Sequence, residues 1–162
     1  MELPKRKKIR LEGYDYSCCG AYFITVCVKD RQPLLWNSVG ADSIRPNEES
    51  MLSEHGKTLE TAVHAISEHY PHILVDNYCI MPNHLHILLR IMPDEGGRML
   101  SAPTLSTVIG QMKRWSSKQI GSSIWQKAFY DRIVRNEKTY LEAWQYIDEN
   151  PLKWKEDELY VT

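Results

Sequence analysis

The chain has 162 residues, 43 % of them hydrophobic and 25 % charged, with a formal net charge of −1. That balance suits one globular domain over residues 1–162 and excludes both a disordered chain and a protein that coats nucleic acid by bulk charge. No apolar run reaches the roughly eighteen residues of a membrane span, the N-terminus lacks the pattern of a secretory signal, and Cys18, Cys19, Cys27 and Cys79 form no CxxC pair. The reading is therefore a cytoplasmic protein with reduced thiols and no membrane partner.

In chain order, Lys5, Arg6, Lys7, Lys8 and Arg10 come first. So dense a cluster reads as a mobile basic arm over residues 1–12, suited to phosphates. Residues 21–29 are aromatic and β-branched and follow a Ser-Cys-Cys-Gly turn, which predicts a buried strand. A loop is expected over 31–47. Leu52, Leu59, Val63 and Ile66 recur at helical spacing and predict a helix over 48–70, closed by Pro71. Residues 73–81 and 84–92 predict an antiparallel strand pair turning at Pro82 and Asn83.

After an expected loop over 93–103, Leu105, Val108, Ile109, Met112 and Trp115 mark one face of a second helix, and residues 124–135 return to strand. The order β-α-β-β-α-β predicts an α+β, ferredoxin-like antiparallel sheet, with both helices on one face and the other face open. A last helix is expected over 137–149, ending at Asn150-Pro151 because proline disfavours helical geometry in the residue before it.

Three features carry chemistry. In His84-Leu85-His86 side chains alternate across the strand, so both imidazoles share one face and can converge on a metal. Paired histidines on a half-buried strand are also common without any metal. On the last helix Tyr140, Ala143, Trp144 and Ile147 form a docking stripe, and Tyr146 and Asn150, four residues apart, flank it about 40° from one another. A phenol and an amide can thus approach one spot, although a half-buried aromatic and a helix-ending asparagine explain the same pair. Finally, Lys113, Arg114, Lys118, Arg132 and Arg135 make a second basic stretch.

Met81-Pro82-Asn83-His84-Leu85-His86, then Trp125-Gln126, Phe129-Tyr130-Asp131-Arg132 and Arg135, then Tyr146-Ile147 with Asn150-Pro151-Leu152-Lys153, stand in the order of a known family. Together with Gly13-Tyr14-Asp15-Tyr16 and Tyr22-Phe23, they resemble the REP-associated tyrosine transposases and their insertion-sequence relatives in the HUH superfamily. One departure is that many relatives carry a histidine where this chain has Asp131-Arg132.

The resemblance implies a single-strand DNA endonuclease and strand transferase. In it Tyr146 is the nucleophile forming a 5′-phosphotyrosine, and His84, His86 and Asn150 bind Mg²⁺ or Mn²⁺. Single-stranded or hairpin DNA is the implied partner, held by Lys5, Arg6, Lys7, Lys8, Arg10, Lys113, Arg114, Lys118, Arg132 and Arg135. Relatives work as monomers or as homodimers that exchange tyrosine helices. The rival reading is a non-catalytic, RNA-recognition-like binding sheet, which shares the element order but needs aromatic strand residues for base stacking. Tyr130 and Tyr140 lack an amide four residues on and read as decoys.

Overall fold

The computed structural model describes residues 20–37, 51–93 and 104–161. The expected basic arm, most of the 31–47 loop and nearly all of the 93–103 loop lie outside the described residues. Four strands, β1 (Gly20–Cys27), β2 (Ile73–Met81), β3 (His84–Ile91) and β4 (Tyr130–Val134), form one antiparallel sheet in the order β2-β3-β1-β4. Helices α1 (Glu54–His69) and α2 (Leu105–Ile120) cross over between strands, and α3 (Glu137–Glu149) follows β4. This is the ferredoxin-like order read from the sequence. Among the described residues no helix is long and apolar enough to cross a membrane.

Strand alternation divides the sheet into two faces. Tyr22, Ile24 and Val26 of β1 and Leu85, Ile87 and Leu89 of β3 point to one side, where they pack with Leu59, Val63 and Ile66 of α1 and Val108, Ile109 and Met112 of α2. All six of these strand residues are fully buried, so burial of apolar area on this face is the main term holding the layers together. α1 starts later than its apolar spacing suggested. Leu52 bridges to Trp36, and Ser53 caps the helix by accepting from the Gly56 amide.

β4 is also shorter than expected. The apolar residues before it are buried by an irregular segment that hydrogen-bonds to the end of β1, through Gln126 N to Cys27 O and Lys29 N to Ile124 O.

The opposite face is not open, as the sequence reading had it. α3, capped by Asn136, packs Ala143 and Ile147 against Cys79, Met81 and Leu88. From Asn150 the chain continues as 3-10 turns to Glu156 and closes over the end of β3. The cover lies chiefly over β2 and β3 and reaches Val134 at the end of β4, leaving Tyr130 and Arg132 exposed.

Candidate functional site

His84 and His86 lie on the α3 side of β3, but both are buried, at 0 % and 4 % exposure. They are not surface histidines. Their Nε2 atoms converge to 3.1 Å, close to the roughly 3 Å that separates neighbouring ligands of an octahedral ion with 2.0–2.1 Å bonds. Each ring is fixed from behind. His84 Nδ1 meets Asn83 Oδ1 at 2.7 Å, and because that oxygen only accepts, Nδ1 carries the proton and Nε2 presents its lone pair. His86 Nδ1 meets Thr25 Oγ1 at 2.9 Å. Burial pushes both imidazoles down to about 3, with the neighbouring His84 adding to the effect at His86 and Asp157 opposing it. Both are neutral at neutral pH, the form in which an imidazole can bind a metal.

The third group at this point is a carboxylate. Asp157 Oδ2 stands 3.6 Å from His84 Nε2, and donor atoms of His84, His86 and Asp157 all lie within 4.8 Å of one another. Asp157 Oδ2 is buried and makes no hydrogen bond among the described residues, which is costly for a charged oxygen unless a cation satisfies it. Donor set and spacing therefore fit a divalent cation.

Tyr146 reaches the same place from α3. Its ring stands edge-on to His86, centroids 5.3 Å apart, and to Phe23 at 5.8 Å, while Phe23 stacks on His86 at 5.1 Å. The ring remains 48 % exposed. Burial of the hydroxyl end raises its pKa, Asp157 raises it further, and the nearby Asn150 amide opposes the shift. Asn150 is 4 % exposed, and its Nδ2 has no hydrogen-bond partner among the described residues. Tyr146, Asn150 and Asp157 line one cavity of about 290 Å³, together with Glu149, Glu156 and Lys153. The sequence pair Tyr146/Asn150 is thus brought together.

Two residues escaped the sequence reading. Asn83, taken as a turn residue, is 1 % exposed and also donates to Leu159 O at 2.7 Å, tying the C-terminal segment to the histidine strand. Asp157 carries no local signal, because its role depends on that segment folding back across the sheet.

The expected DNA-binding cations are dispersed. Arg132 and Arg135 are exposed at and just after β4, on the sheet's edge. Arg114 and Lys118 are exposed on α2, in the layer across the sheet from the histidines. Lys113 is half-buried on the same helix, with Nζ 2.6 Å from Gln126 O and further carbonyls at 3.4 and 3.5 Å. Lys5, Arg6, Lys7, Lys8 and Arg10 lie outside the described residues. Arg90, on the histidine face of β3, is paired with Asp76.

Fold and site together define an α+β, ferredoxin-like domain in which a tyrosine-bearing helix lies across a buried histidine pair. No family model matches the chain. It is 32 % identical to an uncharacterised protein of Haemophilus influenzae, over 96 % of this chain and 93 % of that protein. It is 25 % identical to a second H. influenzae protein, assigned as a REP-associated tyrosine transposase, over 86 % of this chain and 74 % of that one.

Among solved structures, a REP-associated tyrosine transposase bound to a REP hairpin superposes with a TM-score of 0.62 at 22 % identity, covering 89 % of this chain and 74 % of the other. A protein of Deinococcus radiodurans assigned as a transposase gives 0.50 at 16 % identity, covering 86 % and 95 %. In sequence the chain is thus similar, over most of its length, to a protein assigned as a REP-associated tyrosine transposase, and it shares the fold of a solved member of that family.

Proposed function

We propose that this protein cleaves and rejoins single-stranded DNA at a hairpin, with Tyr146 as nucleophile and a divalent cation, Mg²⁺ or Mn²⁺, held by His84, His86, Asn150 and Asp157. The observation that carries the reading is Tyr146 set edge-on to His86 at 5.3 Å, beside a buried carboxylate oxygen, Asp157 Oδ2, that accepts no hydrogen bond among the described residues. Electrostatics point the same way. The cavity beside Tyr146 carries Glu149, Glu156, Asp157 and Glu158 against Lys153, so a phosphate needs a cation there before it can approach.

When bound, the cation would polarise a non-bridging phosphate oxygen and collect the developing charge. The chain's own part is to supply and position the nucleophile. Tyr146 attacks phosphorus, its Oη–P bond forms as the P–O3′ bond breaks, and the phenol proton is in balance delivered to the departing 3′ oxygen. Attack by another 3′-hydroxyl on the phosphotyrosine then reseals the DNA. Because burial holds the phenol above its ordinary pKa, activation must come from the phosphate side as much as from the nucleophile.

Tyr146 reaches both histidines within one chain, so the site can be assembled in cis. A purely binding sheet of the RNA-recognition kind would offer exposed aromatics on its central strands, whereas this face of β3 presents the buried His84, His86 and Leu88. Incubating a labelled hairpin oligonucleotide with Mn²⁺, followed by denaturing electrophoresis, tests the assignment. Tyr146→Phe should bind DNA without forming covalent adducts, and adducts should persist when Tyr130 or Tyr140 is changed to Phe. An adduct in the Tyr146 variant, or wild-type cleavage indifferent to a chelator, would overturn it.

A further inference from the structure

α3 lies chiefly over β2 and β3 and meets β4 at Val134, leaving Tyr130 and Arg132 of that strand uncovered. On that face β1 and β4 continue outward from the histidines. Thr25 lies opposite both His86 and Tyr130 in register, and Phe23 lies opposite Arg132. Tyr130 is 53 % exposed and Arg132 is exposed. The Arg132 guanidinium lies 5.5 Å from the Phe23 ring centre, and Phe23 in turn touches Tyr146. Arg132 makes no ion pair among the described residues. An aromatic ring and a cation, two positions apart on one strand, are thus aligned with the nucleophile.

We infer that this strip of β4 is a nucleotide-binding subsite: Tyr130 stacks on a base of the single strand next to the scissile phosphate, and Arg132 holds that nucleotide's phosphate. The inference rests on the single-strand DNA reading above. Side chains two positions apart on a strand stand about 6.6 Å from each other, a separation suited to one base and its adjoining phosphate in an extended strand. The ring serves any base, because every base offers a π-face, and the guanidinium supplies charge without reading sequence. Phe23 keeps Arg132 flat against the sheet, so the cation stays close to the reacting phosphate instead of sweeping through solvent. Tyr130 is then a binding residue and no mere decoy tyrosine.

The test measures affinity for a set of single-stranded oligonucleotides, each abasic at one position flanking the cleavage site, alongside adduct formation at saturating DNA. Tyr130→Ala should weaken binding of the intact strand about five- to a hundredfold. The penalty should vanish for one abasic oligonucleotide and persist for the others, while Tyr130→Phe restores affinity. Arg132→Gln should lower the salt slope by about 0.7. At saturating DNA Tyr130→Ala should still form adducts but more slowly, because the nucleotide beside the scissile phosphate is no longer held, whereas loss of the nucleophile abolishes them. Equal affinity of wild type and Tyr130→Ala for every oligonucleotide would overturn the subsite while normal wild-type adducts leave the nuclease reading intact. Binding without any wild-type adduct would do the reverse. A wild type with no single-strand affinity would overturn both.

Discussion

Tyr140, in the first turn of α3, donates its hydroxyl to Asp76 Oδ2 at 2.7 Å, and the same carboxylate takes Arg90 Nε at 2.5 Å and Nη2 at 2.8 Å. Asp76 sits where the pairing of β2 with β3 shifts register between Val75 and Asn77, a bulge that lets two successive polar residues serve the α3 side. The next residue completes the attachment, for Asn77 Nδ2 reaches Asp148 Oδ1 at 2.9 Å near the other end of the helix. One irregularity in an edge strand therefore fixes both ends of the helix that carries Tyr146.

Removing the Tyr140 hydroxyl should loosen that attachment. Tyr140→Phe should cost about 1.5 to 3 kcal/mol, the range for a hydrogen bond to a charged group, read as a lower urea midpoint by tryptophan fluorescence. Burial, then the hydrogen bond to Asp76, raises the phenol from 10.0 to about 12. Its folded pKa lies above the unfolded one, so its contribution is complete below pH 10 and is lost as pH rises towards about 12. The stability gap between wild type and Tyr140→Phe should narrow over that window. A gap unchanged through it would dissociate the hydroxyl from the anchor.

The cation site is tested without any DNA. Calorimetric titration with Mn²⁺ should show affinity falling in His84→Ala, His86→Ala and Asp157→Asn, with Asn150→Ala comparing the amide against the carboxylate. Metal at a hundred times its Kd should stabilise the wild type by about 2.7 kcal/mol, an increment that EDTA removes and His86→Ala lacks. If Asp157→Asn binds as tightly as wild type, the carboxylate is no ligand and the amide read from the sequence stands alone.

Asn83 stands one step behind the proposed cation site. It orients His84 through Oδ1 at 2.7 Å and holds Leu159 O through Nδ2 at 2.7 Å. Asn83→Ala should reduce Mn²⁺ affinity about 10- to 100-fold, as loss of a partner behind a ligand does, with far-ultraviolet circular dichroism unchanged. Retention of full affinity would leave Asn83 only its structural tie to the C-terminal segment.

Much of this arrangement was legible because it is periodic. Alternation placed His84 and His86 on one face, and helical spacing with Pro151 gave the bounds of α3. The burial of the histidines was not legible: residues 150–161 carry no apolar rhythm, yet Trp154 packs 6.0 Å from His84 and Asp157 enters its site. Nor was the bulge at Asp76, since a single extra residue inside an apolar strand leaves no mark until the partner strand is known. The reach of Lys113 was hidden for the same reason, its carbonyl partners belonging to a segment read as strand.

That last case separates charge that binds DNA from charge that holds the fold. Lys113 Nζ faces the carbonyls of Gln126, Lys127 and Ala128 at 2.6, 3.4 and 3.5 Å, immediately before β4 begins. Burial lowers its pKa, as expected of an ammonium drawn out of water onto neutral acceptors. Lys113→Gln should therefore lower thermal stability and leave the salt dependence of hairpin binding unchanged. Arg132, exposed on the tyrosine side, and Arg135, exposed just after β4, should behave oppositely: their replacement by Gln should spare stability and reduce the slope of log affinity against log salt by about 0.7 to 0.9 for each phosphate that is no longer neutralised. Arg114 and Lys118 stand across the sheet, so they alter the slope only if a duplex stem wraps around α2. Fluorescence anisotropy at several salt concentrations, with stem-loop and unpaired oligonucleotides compared, distinguishes the cases. A reduced slope in Lys113→Gln at unchanged stability would return that lysine to the DNA surface and undo its assignment to the loop before β4.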